Sequence, residues 1–306
     1  MKLSLEGLKN KGEWEAAGIA LPGYDVENAA KKAQAAPRWA HLGIGNIFRI
    51  FIGSIADGLL ENGELDTALT CVETFDYDVV DKIYRPFDNL GLSVVLNTDG
   101  TRDYKVLGAF GEAVKAQSTD PEQWNRLKEI FVSPSLQLVS FTITEKGYAL
   151  TNAEGKYLPY VQADIDHGPD RATGAMAIVT SMLLERYKKG GTPLALVSMD
   201  NCSQNGSLLR SSVLTMTEEW LKRGYVDQGF ADYVENEDKV SFPWTMIDKI
   251  TPRPNPVIAA DLKALGVEDM EPVETSKRTY IAPFVNGEDP QYLVIEDHFP
   301  NGRPAL

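Results

Sequence analysis

The chain has 306 residues, 43% of them hydrophobic and 24% charged, which is the make-up of an ordinary globular protein long enough for about two domains. Thirty Lys+Arg stand against 44 Asp+Glu, a formal charge of −14. So acidic a surface excludes nucleic-acid binding by counterion release and gives no attraction to an anionic membrane. No apolar run reaches the ~18–20 residues of a spanning helix, and the opening residues carry no secretory pattern. Two cysteines, Cys71 and Cys202, fit a reduced, cytoplasmic setting better than a disulfide framework, and His41, His167 and His298 show no metal-ligand spacing.

Residues 1–36 are polar and mixed, with a Pro22-Gly23 turn and an Ala/Lys-rich stretch over 29–36 that is either a short helix or a lead-in. Trp39–Leu42 is a predicted strand, broken by Gly43-Ile44-Gly45. Apolar residues then recur with helical spacing from Asn46 to Leu60, and Asn62-Gly63 stops them. A second strand over Thr67–Val72, ended by Glu73, completes a βαβ unit. Ser93–Asn97 and Thr101–Leu107 form a hairpin around Asp99-Gly100, and a helix starts at Asp120-Pro121.

Leu136–Ile143 reads as a buried strand, 173–187 as a helix, Leu194–Ser198 as a strand and 207–223 as a helix closed by Gly224. After Lys239 prolines cluster, 259–265 is a short helix, and strands at Lys277–Phe284 and Gln291–Ile295 flank an Asn286-Gly287 turn. The alternation predicts an α/β, Rossmann-like doubly wound sheet, mostly parallel and covered on both faces.

A glycine turn between a first strand and a helix brings main-chain N–H groups to a pyrophosphate, whose charge the helix dipole favours. Gly43 and Gly45 supply two close-approach positions, while the usual third falls at Phe48. Alone, the pair is equally a tight turn. Glu73 lies 30 residues beyond Gly43, against about 20 for the acid that grips a ribose diol. It either binds that ribose, favouring NAD over NADP, or is a solvated residue with Asp76 and Asp78 as rivals. Arg49 faces a phosphate or a substrate carboxylate, or is a surface cation. Asn201, beyond a buried strand, either donates to a developing alkoxide or caps the next helix. Asp248, in an apolar context, is a partly buried carboxylate that positions substrate or forms a structural pair.

Five segments together resemble the polyol-specific long-chain dehydrogenase/reductase (mannitol dehydrogenase) family. They are His41-Leu42-Gly43-Ile44-Gly45 with Arg49, Thr142–Tyr148, Asp200-Asn201 with Asn205-Gly206, Phe242-Pro243 with 246–250, and 294–297 with Asn301-Gly302-Arg303-Pro304. The Thr144–Tyr148 wording is most similar to the branch that interconverts D-fructuronate and D-mannonate, with mannitol and tagaturonate enzymes as alternatives.

The resemblance implies NAD as cofactor at the Gly43/Gly45 turn, with Asn201 and Asp248 catalytic; together with the residue reading above, it makes Gly43, Gly45, Asn46, Arg49, Glu73, Thr144 and Asp200 the expected cofactor-binding set. It also implies a small sugar-acid or polyol substrate, and it gives no indication of oligomeric state. The domains it implies are a lead-in over 1–36, a dinucleotide-binding domain over 37–240, and a 241–306 segment that completes it and begins a second, mainly helical substrate domain. The family's Lys-x-x-x-x-Asn-x-x-His helix is expected beyond residue 306, because Lys277 lacks the Asn and His at those offsets. Residues 277–286 look like an extra hairpin. A non-catalytic nucleotide-binding module is the alternative from another class.

Overall fold

A computed structural model describes residues 1–249, 251–288 and 292–304. Its strands are, in chain order, β1 (Ile19–Ala20), β2 (Trp39–Leu42), β3 (Leu69–Glu73), β4 (Gly91–Leu96), β5 (Arg102–Leu107), β6 (Phe110–Lys115) and β7 (Leu138–Phe141). They continue with β8 (Leu194–Ser198), β9 (Val240–Ser241), β10 (Thr245–Asp248), β11 (Val273–Glu274), β12 (Tyr280–Ile281), β13 (Phe284–Glu288) and β14 (Tyr292–Ile295).

Six of them form one parallel sheet in the order β6-β3-β2-β7-β8-β9, the doubly wound order in which the chain reverses between its first and fourth strands. Both faces are buried, so each strand alternates between two cores. Ala40, Leu42, Val139, Phe141, Leu194 and Leu196 join the cluster under the Pro121–Val132, Ala175–Lys188 and Asn205–Lys222 helices. Trp39, Cys71, Leu138, Ala195 and Val197 face the opposite cluster, packed with Phe48, Phe51 and Ala56.

Side chains start several helices. Asp25, Asp120 and Asp227 accept from the N–H three residues on, and Asn255 accepts from Val257. The helix after the glycine turn runs as a π-helix over Phe48–Ile52, all five side chains buried, before becoming regular over Gly53–Glu61.

The predicted hairpin is present as antiparallel β4 and β5, and it nucleates a second sheet, β1-β5-β4-β13. Here the expected turn at Asn286-Gly287 is corrected. Both residues lie inside β13, parallel to β4, with Asn286 paired to Val94 and Gly287 to Val95. Asn286 is buried and accepts from the Asn255 N–H at 3.1 Å, while a Cβ at Gly287 would meet Ile50 at 3.0 Å. Close packing selects these residues, and a reversal does not. Of the expected strand at 277–284, Tyr280–Ile281 pairs with β11 as a small hairpin.

β10 and β14 form a separate two-stranded ribbon. Ile247 is buried against the sheet, whereas Trp244, Met246, Tyr292 and Val294 are exposed on the other face. Ile250, Gln291, Ala305 and Leu306, which fall in predicted segments, lie outside the described residues. Among the described residues no helix is long and apolar enough to cross a membrane.

Candidate active site

The reversal between β2 and β7 opens a crevice beyond their carboxyl ends, the place where doubly wound sheets take ligands. Two loops meet there, 43–46 after β2 and 142–144 after β7. Gly43 has φ +91°, its N–H donates to the Val72 carbonyl at 2.9 Å, and a Cβ on it would lie 2.3 Å from the Thr142 carbonyl oxygen. The crossing of two main chains therefore demands this glycine. Gly45 differs, because a Cβ there would meet nothing within 4 Å. Its missing side chain leaves open space over the start of the helix. At the third fingerprint position the Phe48 ring is buried and stacks on His41, centroids 4.2 Å apart, in the same turn where the helix widens to π geometry.

Below the turn lies a hydrogen-bond relay whose direction can be assigned. Trp39 Nε1 donates to Ser140 Oγ at 2.7 Å, leaving the Ser140 hydroxyl to donate to His41 Nδ1 at 2.6 Å. Thr142 Oγ1 donates to the Gly43 carbonyl at 2.8 Å, so it accepts from His41 Nε2 at 2.9 Å. His41 is thus neutral with its proton on Nε2, and burial pulls its pKa down to about 3. The signal in the sequence was Ser140 and Thr142 alternating through an apolar strand opposite a histidine.

Glu73, expected to be either a ribose ligand or a solvated residue, is buried and bonded to main-chain N–H groups. Its Oε2 accepts from the Ile44 N–H at 3.2 Å, and its Oε1 from Thr74, Phe75 and Asp76 at 3.0, 3.0 and 3.2 Å. The carboxylate fastens the glycine turn to the end of β3. Burial raises its pKa, and these N–H groups oppose the rise. Asp200 does the same between β8 and β7. It accepts from the Ile143 and Thr144 N–H groups at 2.9 and 3.0 Å and from the Tyr148 hydroxyl at 2.6 Å, and burial again raises its pKa. Thr144 is exposed, at φ +63°.

Arg49 is buried, not a surface cation. It donates to the Ala282 carbonyl at 2.7 Å and to Asn46 Oδ1 at 2.8 Å, its Nε has no partner, and burial lowers its pKa to about 10. The half-buried Asn46 is thereby held at the first helical turn. Asn201 is exposed and does not cap the following helix, whose first turn makes no side-chain cap bond. Asp248 is a correction: it is exposed at the end of β10, because its neighbour Ile247 takes the inward position of the ribbon.

The structure reveals one clamp that the sequence reading passed over. Asn205 Nδ2 donates to Thr245 Oγ1 at 2.7 Å and to the Asp200 carbonyl at 3.1 Å, while its Oδ1 accepts from Gly206 and Thr245 N–H groups. The Thr245 hydroxyl donates to the Ser198 carbonyl at 2.7 Å. The ribbon carrying Asp248 is fixed in this way against the loop carrying Asn201.

Comparison with known proteins agrees with the Rossmann-like fold. A sequence model of the mannitol dehydrogenase Rossmann domain matches residues 37–306. D-mannonate oxidoreductase of Thermotoga maritima is 47% identical over the whole chain, which covers 56% of that protein. Polyol:NADP oxidoreductase of Gluconobacter oxydans is 29% identical over 95% of the chain and 55% of its own length. Among solved structures, Pseudomonas fluorescens mannitol 2-dehydrogenase, in a ternary complex with NAD and D-mannitol, superposes with a TM-score of 0.79 at 25% identity, covering all of this chain and 56% of that one. The chain spans little more than half the length of these relatives. From residue 37 onward, the chain belongs to the mannitol dehydrogenase family.

Proposed function

We propose that this chain is the dinucleotide-binding part of an NAD-dependent oxidoreductase that interconverts D-fructuronate and D-mannonate, with hydride transfer between the nicotinamide and a ketone carbon. The observation that carries this reading is the 47% identity, along the entire chain, to a D-mannonate oxidoreductase. The crevice fits the cofactor, since Gly45 leaves open space at a helix start where main-chain N–H groups favour a pyrophosphate. A nicotinamide bound there supplies the hydride.

The residues of this chain divide the remaining work. Gly43, Gly45 and Asn46 present the turn, with Thr144 across the crevice. Arg49, Glu73 and Asp200 act as positioning residues that hold those loops. Asn201, whose amide makes no hydrogen bond among the described residues, is the donor to the oxygen on which charge develops. Asp248 orients a substrate hydroxyl from the ribbon. Proton delivery to that oxygen is assigned to the part of the relatives' length that this chain does not span. Cys71 and Cys202 are free thiols, in keeping with a cytoplasmic location.

Calorimetric titration of the folded chain with NADH is expected to show one site, and absence of binding overturns the reading. In the complete enzyme, Asn201→Ala is expected to lower kcat about 10²-fold with fructuronate. A substrate panel in which fructose is turned over better than fructuronate would replace the substrate assignment with that of a polyol dehydrogenase.

A further inference from the structure

Three carboxylates follow one another at the carboxyl end of β3, where a doubly wound sheet meets the adenosine half of a dinucleotide. An acid at this point ordinarily grips the ribose diol and repels a 2′-phosphate, while a cation accommodates it. In this chain all three are turned to other work. Glu73 is held by four main-chain N–H groups. Asp76 Oδ2 accepts from the Thr275 hydroxyl at 2.6 Å, and its Oδ1 is buried without a hydrogen-bond partner. Asp78 accepts from the Ser276 N–H at 2.8 Å and from Lys82 at 3.0 Å. The last two therefore anchor the β11–β12 hairpin, whose Thr275 and Ser276 lie 199 and 198 residues further along the chain.

The hairpin presents positive charge. Its turn, closed by the Arg278 N–H on the Thr275 carbonyl at 2.9 Å, carries exposed Lys277 and Arg278. The Lys277 ammonium sits 5.2 Å from the centroid of the Phe75 ring, and Phe75 is 66% exposed. Phe75 is two residues beyond Glu73, so an exposed aromatic ring with a cation over it stands just past the end of β3. A hairpin held at Thr275 and Ser276 keeps that cation in place, whereas a free lysine would have to be ordered on binding.

We propose that Lys277, and not Glu73, reads the 2′ position of the adenosine ribose, and that this chain binds the 2′-phosphorylated dinucleotide as well as the unphosphorylated one. The assignment rests on the cofactor reading above and specifies its adenosine end. The Asp76 carboxyl lies directly behind the hairpin, so the two dinucleotides are expected to bind within about tenfold of each other, with neither excluded.

The test is fluorescence titration of the 306-residue chain with NADH and NADPH, repeated for Lys277→Glu. Lys277 is exposed on a turn, so the variant is expected to keep the wild-type melting temperature. The expected result is binding of both nucleotides by the wild type. The variant should then bind NADPH at least tenfold more weakly and NADH within about threefold of wild type. The wild-type NADPH affinity should also fall more steeply with salt than the NADH affinity. If the wild type binds NADH but not NADPH, or if the variant weakens both equally or neither, Lys277 has no such role and the cofactor reading stands. If the folded wild type binds neither nucleotide, both fall together.

Discussion

At the crest of the parallel sheet, Glu73 and Asp200 have every carboxylate oxygen occupied by main-chain N–H groups or a tyrosine hydroxyl, yet Asn201, the very next residue after Asp200, is exposed and its side chain makes no hydrogen bond among the described residues. Asp248 on the ribbon shares that condition. The first region is built so that its polar side chains shape the main chain, which in the proposed function is what meets the cofactor. In the second region the side chains themselves are presented. A pyrophosphate has one shape in every dinucleotide and suits a fixed cradle of N–H groups, whereas a substrate is recognised by side-chain chemistry that can vary on the same fold.

Substitutions in the cradle should therefore act on stability, and those in the second region on chemistry. The largest effect is expected from Gly43→Ala, which combines a positive φ with a Cβ against the Thr142 carbonyl. A loss of about 4 kcal/mol or failure to fold should appear in urea titration. Gly45→Ala is the paired control, expected to shift stability by less than about 1 kcal/mol while weakening NADH binding. Equal destabilisation by the two would break the distinction between the glycines.

The relay under the turn comes next. Burial holds the pKa of His41 at about 3, against an ordinary 6.5. Between those values the unfolded imidazole binds a proton that the folded one refuses, so its contribution is complete above pH 6.5 and is lost as pH falls. The difference in unfolding free energy between wild type and His41→Gln should shrink by about 3 kcal/mol from pH 7 to pH 4. Glu73 and Asp200, with raised pKa values, have the opposite sign, but they are common to both proteins and cancel in the difference. A difference that stays flat with pH would mean that the imidazole is charged in the folded state.

Glu73→Gln should cost about 2 kcal/mol, since an amide nitrogen turned toward N–H donors leaves some of them unsatisfied. Smallest of all, Asn201→Ala should change stability by less than about 0.5 kcal/mol. A large loss there would show that Asn201 belongs with the cradle.

The sequence disclosed the βαβ unit, the β4–β5 hairpin and the long helices because their apolar periods and turn residues are local signals. It misread Asn286-Gly287, where a dipeptide that commonly reverses a chain sits inside a parallel strand chosen by contact with Ile50 and β4. Glu73 is legible as the residue ending the second strand, but what its carboxylate bonds to depends on the path of the loop after it. The same applies to Arg49, whose partner Ala282 lies 233 residues away. Gly43 and Gly45 were legible as a pair, though only the crossing of Thr142 separates the one needed by the fold from the one that leaves room for a ligand.

The second sheet joins β1, from the first 20 residues, to β13, which ends at residue 288, across one hairpin. Leu3, Trp14 and Ile19 share an apolar cluster with Ile258, Leu262 and Phe284. During synthesis those early side chains meet Phe87 and, from the hairpin, Leu92 and Val106 first, and the cluster closes only when Ile258, Leu262 and Phe284 have followed. At ~5–20 residues per second the gap between the hairpin and those later residues keeps one side of the cluster open for about ten seconds or more, which makes the unfinished sheet a natural client for chaperones.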